Sequence, residues 1–166
     1  MDNVRDTGSV EGRIVGLLTA HGVRFRVHEH PVSRTVEDAK ARLPFPLEQL
    51  LKTVVFRVKN GTWLLVACKG QDRVDYRKLA EAAGARRADI VQPAPDEVEA
   101  ALGYVIGGVA PFPPNAETRT IVDAGAAATM ETVYCGIGRN DRTLEVGIAD
   151  VIAVSGALVA PIVQEA

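Results

Sequence analysis

The sequence predicts a mixed α/β (α+β) domain, a mixed sheet or partly closed barrel with helices around it. Short alternating strands are interleaved with short helical stretches, and Asn60-Gly61 joins two β-rich runs as a hairpin turn. The elements do not repeat as a regular βαβ array, which argues against an all-parallel sheet. At 166 residues the chain fits one core. Residues 9–166 are therefore read as a single domain, behind a tail of residues 1–8 that mixes charges with Gly8 and shows no apolar period.

The elements follow in order. Ser9 caps a first helix whose apolar stripe is Ile14, Val15, Leu17 and Leu18, ending near Gly22. Val23, Phe25 and Val27 alternate with Arg24, Arg26 and His28, the period of a half-buried strand that stops before Pro31. Thr35 caps a second helix over Val36 to Arg42, broken by Pro44 and Pro46. Leu47 to Leu51 reads as one helical turn, with Lys52 at the mouth of a strand from Thr53 to Val58. The hairpin returns through Thr62 to Lys69, with Trp63 packing on a sheet face.

Asp75 opens a helix that Gly84 stops, and Ala88 to Val91 is a short strand. Pro95-Asp96-Glu97 starts a helix ending at Gly103, with acids where the helix dipole favours them. The Gly/Pro-rich stretch from Gly103 to Pro114 is irregular. Thr120 to Asp123, Thr132 to Cys135 and Thr143 to Val146 are strands, and Ile148 to Val154 leads into a last helical turn.

Composition narrows the function classes. With 47% apolar and 24% charged residues, the chain can bury a core and lacks the signature of disorder. A net charge of -2 argues against sequence-independent binding along a nucleic-acid backbone, so DNA is not expected, while a small pocket for one RNA end stays open. Apolar runs are strand-sized and the N-terminus lacks a secretory pattern, so neither a membrane nor export is expected and the cytoplasm is the default. Cys68 and Cys135 form no Cys-x-x-Cys pair and are read as ordinary reduced thiols.

Lys52 is flanked by Leu50-Leu51 and Val54-Val55-Phe56, which sets its amine at the edge of an apolar region. Its plain alternative is a solvated strand-edge lysine. Gly107 and Gly108, followed by Val109, Ala110 and Pro111, let a backbone approach a ligand closely, or simply make a tight turn. His28 and His30 share a strand face, but no further ligand completes a metal site, so no metal and no cofactor is expected. Asp123 either caps a turn or lines a pocket, and Tyr104 reads as packing.

Taken together, Thr35 to Ala39, Lys52 to Phe56, Val74 to Leu79 and Gly103 to Pro111 resemble the YbaK family, related to the editing insertion of bacterial prolyl-tRNA synthetases. The similarity runs on through Val122-Asp123, Glu131 to Tyr134 and Gly136-Ile137-Gly138. It implies a trans-acting aminoacyl-tRNA deacylase that hydrolyses the ester of a mischarged tRNA, Ala- or Cys-tRNA-Pro. Lys52 matches the family's essential lysine and Gly107 to Pro111 its Gly-x-x-x-Pro loop; Tyr104, Asp123 and His30 join that loop in the substrate-binding set.

The expected partners are the mischarged tRNA 3′ end and prolyl-tRNA synthetase. No Ser-His-Asp or Cys-His arrangement stands in these motifs, which points to substrate-assisted attack by water, the substrate's 2′-hydroxyl or a substrate thiol. Two departures, Ala110 in place of the family's frequent Ser and Arg139-Asn140-Asp141 in place of a more basic run, motivate an alternative. That alternative is a non-catalytic module binding an aminoacyl-tRNA or aminoacyl-nucleotide.

Overall fold

A computed structural model describes residues 9–32 and 46–165. The helix expected over Val36 to Arg42, and with it the motif Thr35 to Ala39, lies outside the described residues. Helix α1 (Val10–Ala20) begins where Ser9 Oγ accepts the Gly12 N–H at 2.9 Å and turns out of the helix through Gly22. Strand β1 (Phe25–Glu29) follows. A single 3₁₀ turn, Leu47–Gln49, leads into β2 (Leu51–Val58), so Lys52 lies inside the strand, paired with Cys68, rather than before its mouth. Gly61, at φ 105°, turns the chain into β3 (Trp63–Lys69).

Helix α2 (Tyr76–Ala83) is capped by Asp75, whose carboxylate accepts from the Arg77 and Lys78 amides, and it stops at left-handed Gly84. The expected strand from Ala88 shrinks to β4 (Ile90–Val91), because Arg87–Asp89 forms a 3₁₀ turn first. Helix α3 (Pro95–Leu102) carries Pro at its first turn, and Glu97 reaches back to the Ala94 N–H at 3.2 Å. The stretch from Gly103 to Pro114 has no regular element.

Then come β5 (Thr118–Asp123), α4 (Ala124–Thr129), β6 (Thr132–Cys135), β7 (Arg142–Gly147), α5 (Ile148–Ser155) and β8 (Leu158–Ala160). Sequence reasoning missed α4 and β8. Ala124–Thr129 offers only six residues and no amphipathic stripe, and Leu158–Ala160 is too short to show alternation.

The strands form two sheets rather than a closed barrel. One is antiparallel, in the order β1-β7-β6; the other is mixed, in the order β4-β2-β3-β5-β8, with β3, β5 and β8 parallel. A bridge between Leu50 and Tyr134 joins the start of β2 to β6.

Alternation along β2 and β3 gives the mixed sheet two apolar faces. Leu51, Val55, Leu65 and Ala67 face a cluster completed by α1, α3, α5 and the small sheet. Phe56, Val58, Leu64, Val66 and Cys68 face a second cluster, closed by Leu79 and Ala80 of α2. Trp63 packs against the first cluster, as expected for a sheet-face residue.

Candidate active site

Because Lys52 pairs with Cys68, its side chain shares the α2 face of the mixed sheet. It is half-buried, and Nζ donates a hydrogen bond to the Asp72 carbonyl, in the turn that leaves β3. An ammonium has three N–H donors, so this bond leaves two for a substrate oxygen. The charge is felt locally: burial pushes the Cys68 thiol up to about 11, while Lys52 pulls against that rise. Cys135 has burial alone acting on it and reaches about 12. Both thiols are buried, free and held neutral, so neither serves as a nucleophile.

A cleft of about 600 Å³ is walled by the turn Leu47–Gln49, residues 69–72 and residues 129–132; Lys52 does not line it. Asp72 belongs to both places, since its carbonyl holds Lys52 and its residue lines the cleft. The Gly70 N–H bonds to the Leu50 carbonyl at 3.0 Å, which ties two of these walls together.

The loop Gly107 to Pro111 packs elsewhere. Val109 and Ala110 belong to the cluster on the opposite face of the mixed sheet from Lys52, and neither the loop's residues nor Lys52 lines the cleft. Its neighbours are residues 136–139: Gly138 N–H bonds to the Gly108 carbonyl at 2.6 Å, and Val105 N–H to the Gly138 carbonyl at 3.2 Å.

The contact is main chain on main chain. A Cβ on Gly108 would lie 2.0 Å from the Arg139 oxygen, and one on Gly136 would lie 2.2 Å from the Val109 oxygen. Gly107, at φ 91°, and Gly138, at φ 96°, adopt a conformation that side chains disfavour. Ala110 is wholly buried, so its methyl fills apolar space where a serine would have to bury a hydroxyl. Thr120 Oγ1 donates to the Pro111 carbonyl at 2.8 Å, which anchors the loop's exit.

The remaining expected site residues disperse. Tyr104 is buried, its hydroxyl donating to the Phe112 carbonyl and its phenol pushed well up by burial, so it packs and braces the loop. Asp123 is 2% exposed and both of its carboxylate oxygens are engaged. One caps α4 at Ala126 N, 3.2 Å away, and the other accepts from Ile162 N at 3.1 Å. Of its two readings, the geometry shows the cap.

His30 Nδ1 donates to the Pro31 carbonyl at 2.7 Å, and its Nε2 is hydrogen-bonded to the Thr143 hydroxyl at 2.7 Å. His28 Nε2 instead meets Glu145 at 2.7 Å. Among the described residues no three His, Cys, Asp or Glu side chains gather as a metal site. Arg139 grips Asp141 through two nitrogens at 2.8 and 2.9 Å, lowering that carboxyl's pKa chiefly through the hydrogen bonding. Arg142 is likewise bound to Glu11 at 2.7 Å.

Sequence reasoning also missed the cleft walls at 69–72 and 129–132. No sequence pattern joins the two segments, which are brought near each other by the β2–β3 pairing and the Leu50–Tyr134 bridge. Thr53, next to Lys52, turns to the opposite face, where its hydroxyl is buried with no hydrogen-bond partner among the described residues.

Known proteins give this geometry a context. A protein of Escherichia coli K12 named multifunctional Ser/Thr-tRNA deacylase ProXp-y is 26% identical over 146 residues, 86% of each chain. The proline–tRNA ligase of Exiguobacterium sibiricum is 28% identical over 109 residues, 66% of this chain but 18% of the ligase. A solved structure described as a candidate trans-editing enzyme for prolyl tRNA synthetase superposes with a TM-score of 0.78 at 26% identity, covering 94% of this chain and 98% of that one. The profile of the aminoacyl-tRNA editing domain matches residues 30–154, a span that holds Lys52, the glycine loop and both sheets' central strands, and the chain belongs to that family.

Proposed function

We propose that this protein is an aminoacyl-tRNA deacylase that works in trans, in the cytoplasm, on tRNA esterified with a small wrong amino acid. The observation that carries the reading is the family match across residues 30–154, a span that holds Lys52, half-buried and hydrogen-bonded to the carbonyl of Asp72. Lys52 is the catalytic residue. Two of its N–H donors are available to the ester carbonyl or the terminal phosphate, where they stabilise the negative charge that develops as the carbonyl is attacked. The nucleophile is water, oriented by the substrate's own 2′-hydroxyl, since both cysteines are buried and neutral. The water oxygen bonds to the carbonyl carbon, the ester C–O bond breaks, and the proton lost by the water passes to the leaving ribose oxygen.

The substrate is Ala- or Cys-tRNA-Pro, with prolyl-tRNA synthetase as the associated synthetase. Likeness to a proline ligase and to a prolyl-system editing structure supports this choice. The Escherichia coli relative's name makes Ser- and Thr-tRNA the competing substrates. The test is a deacylation time course with all four mischarged species and Pro-tRNA-Pro, for the wild type and Lys52→Ala. Lys52-dependent loss of alanine or cysteine with proline spared supports the proposal; faster loss of serine or threonine reassigns the substrate, and equal rates for wild type and variant remove Lys52 from the mechanism.

A second reading has its own observation. Arg139, in the segment that departs from the family pattern, is spent on Asp141 rather than presented to RNA. A non-catalytic binding module then predicts saturable affinity for a mischarged tRNA end without turnover.

A further inference from the structure

The segment that follows β8 reaches back to the residue that holds Lys52. Ile162 is wholly buried, and its N–H donates to the Asp123 carboxylate at 3.1 Å, which fixes where the segment begins. It then runs antiparallel to residues 73–75. Asp75 N–H bonds to the Ile162 carbonyl at 2.8 Å, Gln164 N–H to the Arg73 carbonyl at 2.8 Å, and Val74 bridges Val163 between them. Residues 73–75 follow directly on Asp72, whose carbonyl accepts from the Lys52 ammonium. On its other side, the Asp72 N–H closes a turn onto the Lys69 carbonyl at 3.0 Å. The acceptor for Lys52 therefore sits between a turn and a two-stranded clamp.

Lys78 tightens the clamp from α2. Its Nζ donates to the Val163 carbonyl at 3.0 Å and lies 3.8 Å from the Glu165 carboxylate. Lys78 is the third residue of α2, where a cation opposes the helix dipole, so helix stability does not account for it. The contact with Val163 does. A turn carbonyl without such ties moves with its loop, and a displacement of about 1 Å at a catalytic group costs about 10²-fold in rate.

We propose that Ile162 to Gln164, tied by Lys78, form a positioning strap that fixes the Asp72 carbonyl and, through it, the Lys52 ammonium. Its effect on rate rests on the deacylase reading. Its hold on Lys52 is measurable without any substrate.

The test uses the full chain as wild type, Gln164→Pro, Gln164→Ala and Lys78→Met, each checked for folding by thermal unfolding. Gln164→Pro deletes the N–H that meets Arg73, whereas Gln164→Ala keeps it and serves as the conservative control. Reactivity of the Lys52 amine is read by competitive labelling with acetic anhydride and mass spectrometry, and turnover as kcat and KM on the four mischarged tRNAs named above. Gln164→Pro and Lys78→Met are expected to label Lys52 about fivefold faster, the scale of one released hydrogen bond. They should lower kcat about tenfold with KM within about twofold, because Lys52 acts on the transition state. Gln164→Ala should match the wild type in both readouts. Lys78→Met should melt within about 3 °C of wild type, since relief of the helix dipole offsets the lost hydrogen bond. A merely structural role for Lys78 then predicts no change in kcat. If Gln164→Pro fails to fold, Lys78→Met decides alone. Unchanged labelling in the folded variants, an unchanged kcat on a tRNA that the wild type hydrolyses, or an equal change in Gln164→Ala overturns the inference. A wild type that hydrolyses none of the four tRNAs removes the deacylase reading, and the labelling contrast still decides whether the strap holds Lys52.

Discussion

The Lys52 end of the mixed sheet and the glycine loop from Gly107 to Pro111 are built on opposite principles. At the Lys52 end one main-chain acceptor, on Asp72, steadies the amine, and Asp72 also lines an open cleft. Around the loop, main chain lies against main chain, with glycines at 108 and 136 where any side chain would collide and Ala110 sealed beneath. Open space beside a charged group suits binding and chemistry. A locked backbone suits holding the fold in register.

The largest expected effect tests the open side. Lys52→Ala should cut deacylation by about 10²–10³-fold, the scale for removing one preorganised donor to a developing oxyanion. Its cost in unfolding free energy should stay near 1 kcal/mol, the usual net worth of one hydrogen bond. A loss of activity matched by a collapse in stability would make Lys52 structural instead.

Gly108→Ala reverses the pattern. With its Cβ placed 2.0 Å from the Arg139 oxygen, the backbone must shift, and the expected loss is about 3 kcal/mol in denaturant unfolding. A variant of unchanged stability would show that the loop yields, and that the contrast between locked and open regions is overdrawn.

The two thiols sharpen the comparison through pH. Each is held neutral above its ordinary value of 9.0, Cys68 to about 11 and Cys135 to about 12. Stability from keeping them neutral is therefore complete below the unfolded value. It drains away as pH climbs from there through the folded values, because the unfolded chain releases its thiol protons first. Unfolding midpoints should fall along this alkaline limb, and Cys135→Ala should flatten it more than Cys68→Ala. Since Lys52 partly offsets burial at Cys68, Lys52→Ala should also slow alkylation of Cys68 in the native protein at alkaline pH.

The smallest effect has the opposite sign. Thr53→Val replaces a buried, unpartnered hydroxyl by a methyl of similar shape and should stabilise the fold by about 1 kcal/mol with deacylation unchanged. A loss of activity would mean that the hydroxyl serves the substrate.

The sequence by itself determined what depends on neighbours along the chain. Ser9, Asp75 and Pro95 start helices where their local chemistry demands, Gly84 and Gly103 stop them, and Asn60-Gly61 turns the hairpin. The order of motifs also identified the family, because spacing between weak patterns survives in one dimension.

Only the tertiary structure decided which distant groups meet. It put Lys52 with Cys68 and Asp72 on one sheet face and the glycine loop on the other, spent Asp123 on a cap, and assembled the cleft from three separated turns. A strand's two-residue period allows either face to be the active one, and strand pairing alone settles which side chains share it.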